Sequence, residues 1–225
     1  MSDDERDSEQ SSLDEVSKRF VPVRCMEDFQ TLVMPEEESL CALVVTSFLC
    51  PFSDKILPIV KEKFVLSEAP QTRRVRYFHV ALVPEEKTDI TSLLQKDPVF
   101  LATNRPPTEL QKRQLQKQAY DNLLELLTFL EICSTPCMLF FVQGKCVRTS
   151  DDVSDAPRVT ATGSSVRKWK AVLQNAVVRR NALLREYDAE KKREKRRLER
   201  ERRREARRRA KAEEAEEEED EEDED

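Results

Sequence analysis

Hydrophobic positions along this chain fall into a few short bands separated by long polar stretches. Met26, Phe29, Leu32 and Val33 recur at helical spacing, and residues 35–39 (PEEES) then read as a turn. Residues 40–48 (LCALVVTSF) form a continuous apolar, β-branched run, the pattern of a buried strand. Residues 54–65 predict a helix with Ile56, Leu57, Ile59, Val60 and Phe64 toward one side. Asp54 stands at its start as a cap or first-turn charge, and Pro58 predicts a kink. Residues 74–83 alternate and then turn apolar, a second buried strand. A polar stretch with Pro98, Pro106 and Pro107 leads into a helix over 108–131, polar at first and apolar from Leu123. Residues 138–142 (MLFFV) predict a strand, Gln143-Gly144 a hairpin turn, and 145–149 its partner. Residues 166–187 make a final amphipathic helix with the single tryptophan, Trp169.

The order is α-β-α-β, an insertion with a helix, then β-β-α. A β-α-β unit predicts parallel strands joined by a right-handed crossover, and the later hairpin adds antiparallel strands. The fold class is therefore α/β: a central mixed sheet flanked by helices. Residues 1–18, acidic and rich in Ser, are expected to be disordered. The globular domain spans 19–187, with an insertion over about 85–122. Long ordered insertions in compact domains serve as functional surfaces, so this one is the candidate partner-binding surface.

Composition removes several function classes. With Gly144 and Gly163 as the only glycines, neither a P-loop nor a dinucleotide fingerprint can be built. One histidine, His79, leaves no His-rich metal site; it reads as a hydrogen-bonded core residue in its strand. No apolar run reaches membrane-span length, and the acidic start is the opposite of a signal or transit peptide. The expectation is a cytoplasmic or nuclear protein that is not secreted, with Cys25, Cys41, Cys50, Cys133, Cys137 and Cys146 reduced at the outset. No pair of them has zinc spacing, so no metal is expected. Cys25, Cys41, Cys133 and Cys146 read as small core hydrophobes.

Charge is strongly segregated toward the C-terminus. Residues 190–212 hold fourteen Lys/Arg against five Glu, and residues 213–225 hold twelve Asp/Glu and no base. With Ala, Glu, Lys and Arg and neither Gly nor Pro, residues 188–212 predict a basic helical extension. Residues 213–225 predict a disordered acidic tail. The basic stretch 191–211 admits RNA or ribonucleoprotein contact, or a solvated helix screened by its own acidic end. It has no aromatic residue on which bases would stack.

One constellation carries more information. Cys50-Pro51-Phe52-Ser53 closes the first long strand and opens a helix, with Pro58 five residues after Ser53. Thr135-Pro136-Cys137 precedes the 138–142 strand, Gly144 follows eight residues after Pro136, and Gly163 precedes the last helix. In these four features, and over about residues 20–187, the chain resembles the thioredoxin-like superfamily. The resemblance implies a thioredoxin-like fold, a cis peptide bond at Pro136 facing Cys50, and a thiol site of Cys50, Ser53 and Pro136. Ser53 stands where the family has its second cysteine, Val44 where it has a buried acid, and Leu49 where it has an aromatic residue, which argues against a dithiol cycle. A thiol at a helix N-terminus is activated by the helix dipole and orphan N–H groups. Cys50 has three readings: a monothiol catalyst like the Cys-x-x-Ser glutaredoxins, with glutathione as a possible co-substrate; a partner of Cys137 in a disulfide; or an unreactive thiol.

Two function classes follow. The first is a protein-interaction adaptor in a larger assembly, without dithiol chemistry and without a cofactor. Arg19-Phe20, Val23 and Asp28-Phe29 are similar to the start of the thioredoxin-like domain of phosducin-like chaperonin cofactors. Pro136-Cys137 and Thr162-Gly163 look like the small thioredoxin-like protein of a spliceosomal particle. The second is a monothiol thiol-disulfide oxidoreductase acting through Cys50.

Overall fold

The structure, a computed structural model, describes residues 15–36, 39–67, 69, 74–103, 105–148 and 158–222. The disorder expected over 1–14 and 223–225 lies outside the described residues. Two compact units emerge, Met1–Arg180 and Asn181–Asp225.

In the first unit, residues 15–19 form a helical turn closed by a Glu15–Arg19 ion pair, where disorder had been expected through 18. There follow β1 (Phe20–Pro22), α1 (Met26–Asp28) with a widened turn over Phe29–Val33, and β2 (Leu40–Ser47). Next come α2 (Pro51–Val60), widened again over Lys61–Val65, and β3 (Val75–Leu82). The insertion holds a 3-10 turn (Glu85–Lys87), α3 (Thr91–Leu94) and α4 (Pro98–Thr103), and leads into α5 (Glu109–Phe129). The chain then makes β4 (Cys137–Val142), β5 (Lys145–Cys146), β6 (Thr160–Thr162) and α6, which begins at Val166 and continues to Glu222.

The sheet order is β1-β3-β2-β4-β5, with β6 also paired to β4. β1, β3 and β2 run parallel, and β4 runs antiparallel to β2, β5 and β6. This is the mixed sheet of a thioredoxin-like fold. All eight residues of β2 are buried, as expected of a central strand covered on both faces. Alternation divides the core. Cys41, Leu43 and Val45 join Phe78, Val80, Leu139 and Phe141 in a layer with Phe29, Val33, Leu123 and Leu126. Ile56, Val60, Phe64 and Trp169 are buried outside that layer. The Trp169 indole N–H donates to the Gly163 carbonyl at 2.9 Å.

Several elements differ from the sequence expectation. α2 starts at Pro51, not Asp54, because proline at the first helical position loses no needed N–H and presets φ. The hairpin return is shorter than 145–149: β5 ends at Cys146, an Arg148–Arg158 bridge closes the excursion, and β6 resumes pairing with β4. α5 is one continuous helix across the expected insertion boundary at 122. Its start is fixed by a capping box in which the Thr108 hydroxyl accepts from the Gln111 N–H and Gln111 Oε1 accepts from the Thr108 N–H.

The second unit is the helical stretch from Asn181 onward. It carries i,i+4 pairs such as Glu199–Arg203 (2.8 Å) and Arg197–Glu201, and Lys191 lies over the Tyr187 ring. The helix passes through 213–222, where disorder had been expected; a run of Glu with Ala215 and Asp220, without Gly or Pro, does not break it. Among the described residues, no helix is long and apolar enough to cross a membrane.

Candidate functional site

β2 ends at Ser47, and residues 48–50 turn the chain into α2. The turn is closed by hydrogen bonds from the Cys50 N–H to the Ser47 carbonyl (3.1 Å) and from the Ser53 N–H to the Cys50 carbonyl (2.9 Å). Cys50 is the extended N-cap residue of α2, and Pro51 follows as its first helical residue. The thiol therefore stands where the free N–H groups of the first turn converge.

Ser53 has a different environment. Its side chain is buried, and its hydroxyl oxygen accepts the Ser47 N–H at 3.1 Å. It ties the end of β2 to the first turn of α2, a structural duty that a thiol, a weak acceptor, would perform poorly.

Opposite Cys50 lies the loop that joins α5 to β4. α5 closes with the N–H of Glu131 on the Thr128 carbonyl and the N–H of Ile132 on the Leu127 carbonyl. This is a Schellman arrangement with Glu131 in the left-handed region at φ 52°. Arg158 secures it from the return strand, donating to the Leu130 carbonyl and pairing with the Glu131 carboxylate at 2.7 Å. The Thr135–Pro136 peptide bond is cis, and the Pro136 carbonyl accepts the Gly163 N–H at 3.1 Å. The Cys50 thiol donates to the Thr135 carbonyl at 3.1 Å. The structure thus brings Cys50, Ser53 and the Thr135–Pro136 loop together.

Electrostatics separates the thiols. Partial burial acts to raise the Cys50 pKa, but the Ser53 N–H and hydroxyl, the Phe52 N–H and the Thr135 hydroxyl outweigh it, and the thiol falls below its ordinary value. Cys137, buried in β4 opposite Val45 and Thr162, is pushed up to about 12 by burial and then by the nearby Cys133. Cys41 is pushed up to about 12 in the same way, burial being the larger cause and the Glu36 carboxylate the next. All six cysteines are free thiols in the structure. Cys133, expected in the core, is exposed on the loop two residues before Thr135. The core reading rested on the general tendency of free cysteine to be buried, whereas here the helix cap ends α5 before Cys133.

Sequence reasoning missed the surface around the thiol. Phe48, Leu49 and Phe52 are 48%, 76% and 52% exposed. Phe48 was read as the end of the buried 40–48 run, but β2 ends at Ser47 and all three are exposed at the turn that follows. The signal was present in the crowding of apolar residues into a turn that must itself lie at the surface.

A second concavity lies at the carboxyl ends of β1 and β3. It is a cavity of about 600 Å³ between Val23–Asp28, His79 and the insertion, and Cys50 is not in its wall. His79 Nε2 is 2.8 Å from the Thr46 hydroxyl and its ring stacks on Phe20. Burial first, and then the Lys61 charge, lower its pKa to about 4, so it is neutral at physiological pH, a satisfied core histidine. Two ion pairs cross the mouth of the cavity, Arg24–Asp89 at 2.9 Å and Glu27–Lys96. No cluster of three metal-ligating side chains occurs among the described residues.

No protein-family model matches the chain, and a search of curated proteins finds no match. Among solved structures, it is similar to a thioredoxin from Malassezia sympodialis at 12% identity, covering 69% of this chain and 89% of that one, with a TM-score of 0.41. A spinach chloroplast thioredoxin f is 11% identical, with 70% and 93% covered and a TM-score of 0.40. A Trypanosoma brucei brucei thioredoxin is 13% identical, with 70% and 90% covered and a TM-score of 0.39. The strand order and the Thr135–Pro136 loop set against the N-terminus of α2 are what make this fold thioredoxin-like.

Proposed function

We propose that this chain is a protein-interaction adaptor in a larger assembly, of the spliceosomal or chaperonin type, working without dithiol chemistry in the cytoplasm or nucleus. What carries the reading is the apolar rim of Phe48, Leu49 and Phe52 around a site whose second thiol position is the buried clamp Ser53. A contiguous exposed apolar patch marks a protein-binding surface. The basic stretch 191–211 supplies a second, electrostatic contact suited to RNA or a ribonucleoprotein.

The test is co-purification on the tagged full chain. Partners are expected to survive Cys50→Ser and to be lost in the Leu49→Ser/Phe52→Ser double variant. The unfolding midpoint should hardly move, since exposed substitutions shift stability by about 0.5 kcal/mol or less. Partners lost in Cys50→Ser but retained by the double variant would transfer the reading to thiol chemistry.

The lowered pKa of Cys50 favours a second reading, a monothiol oxidoreductase with Cys50 as nucleophile, Ser53 and the backbone N–H groups steadying the thiolate, and Pro136 orienting the substrate. Reduction of a glutathione mixed disulfide, abolished by Cys50→Ser, is its positive result.

A further inference from the structure

We propose that Cys133 is the resolving thiol for Cys50, so that this Cys-x-x-Ser site closes an internal disulfide through the loop before Pro136 instead of through its own helix. The inference rests on the second reading above, in which Cys50 is a nucleophile.

The thiols are sorted by their surroundings. Ser53 occupies the usual resolving position and is committed to the Ser47 N–H. Cys137 follows Pro136 directly, but it is buried as the first residue of β4, paired with Val45 and Thr162, and is held by two neighbouring strands. Cys41 is buried mid-strand in β2, and Cys146 is half-buried in β5. Cys133 is exposed and belongs to no strand or helix.

Its reach is set by the chain. The Cys50 thiol touches the Thr135 carbonyl, and Cys133 is two residues before Thr135. At roughly 3.3–3.6 Å of chain per residue, the Cys133 Cα lies within about 7 Å of the Thr135 Cα. A disulfide needs Cα separations of roughly 4.4–6.8 Å, so the bond forms by a turn of residues 132–135, outside any strand or helix, that carries Cys133 toward Cys50. Both ends of that segment are held. Arg158 fixes Leu130 and Glu131, and Gly163 fixes Pro136. The Cys133 thiol makes a long contact to the Glu131 carbonyl, 3.5 Å, which it would give up.

The chemistry requires a disulfide co-reactant, for which oxidised glutathione is the probe. The Cys50 thiolate attacks one sulfur of the probe, its S–S bond breaks, and the first glutathione leaves as thiolate and takes a proton. The Cys133 thiolate then attacks Cys50 Sγ, forming the Cys50–Cys133 bond and expelling the second glutathione. Two cysteine thiols are oxidised to one disulfide, and one glutathione disulfide is reduced to two thiols.

The full chain is incubated with oxidised glutathione, alkylated, and digested without reductant for disulfide mapping. The wild type should yield a Cys50–Cys133 linked peptide and release two thiols per oxidised glutathione consumed. Cys133→Ser should stop with glutathione retained on Cys50, and Cys137→Ala should still form the Cys50–Cys133 link. Glutathione retained on Cys50 in the wild type, or a Cys50–Cys137 link, would overturn the proposal while leaving Cys50 a nucleophile. A Cys50 that takes up no glutathione in the wild type or in Cys133→Ser would remove the nucleophile reading itself, and this proposal with it.

Discussion

The N-terminus of α2 and the first residue of β4 flank the same Thr135–Pro136 loop, and each places a cysteine there. At α2, Cys50 is half-exposed and lies beside the N–H groups of Phe52 and Ser53 in the first turn. At β4, Cys137 is buried between two strands and meets none. The residue type is the same and the pKa moves in opposite directions. Reactivity here follows from what each backbone segment leaves unsatisfied: a helix start has spare donors, whereas a central strand has none.

The largest expected consequence is kinetic. A thiol raised from 9.0 to about 12 has roughly a thousandth of the ordinary thiolate fraction, and Cys50 has more than the ordinary one. Native alkylation at neutral pH, followed by peptide mass spectrometry, should therefore label Cys50 at least about a thousandfold faster than Cys137. Equal rates would erase the distinction between the two regions.

The same asymmetry appears in stability. Above pH 9 the unfolded chain releases the Cys137 proton while the folded chain keeps it, so stability falls as pH rises toward about 12. The loss is about 1.4 kcal/mol per pH unit for each such thiol, and Cys41 contributes similarly. Urea unfolding between pH 9 and 11 should show this slope reduced in Cys137→Ala and not reduced in Cys50→Ala. A slope untouched by Cys137→Ala would mean that the strand does not shield its thiol.

A smaller effect tests how the two regions are coupled to the helix turn. Ser53→Ala leaves the Ser47 N–H without its acceptor, at a cost of roughly 1–3 kcal/mol in urea unfolding. It also removes a hydroxyl that steadies the Cys50 thiolate, so the alkylation midpoint of Cys50 should rise while that of Cys137 stays in place.

Long apolar runs made β2, β3 and β4 legible, because strands covered on both faces need a continuous signal. β1 (FVP) and β6 (TAT) are three residues each, too short for any period, and exist because β3 and β4 offer them an edge. Cys50, Ser53 and Pro136 were singled out through the thioredoxin-like resemblance, on the motif spacing that carries it. Thr135 was not, because its part is played by a backbone carbonyl, which no side chain announces. Cys133 and Phe48 were read inward for one reason: apolar character predicts burial only where the backbone can turn a residue toward the core. Helix caps and tight turns override it.

The two ion pairs between the N-terminal segment and the insertion have a meaning beyond their strength. Each is solvent-exposed, and water screens it to a weak interaction. Their signs are reversed, however: cation to anion at Arg24–Asp89, anion to cation at Glu27–Lys96. Slide the insertion so that Lys96 faces Arg24, or Asp89 faces Glu27, and each meeting becomes a repulsion. The order of signs thus matches the present seating of the insertion over the cavity and opposes its shifted neighbour.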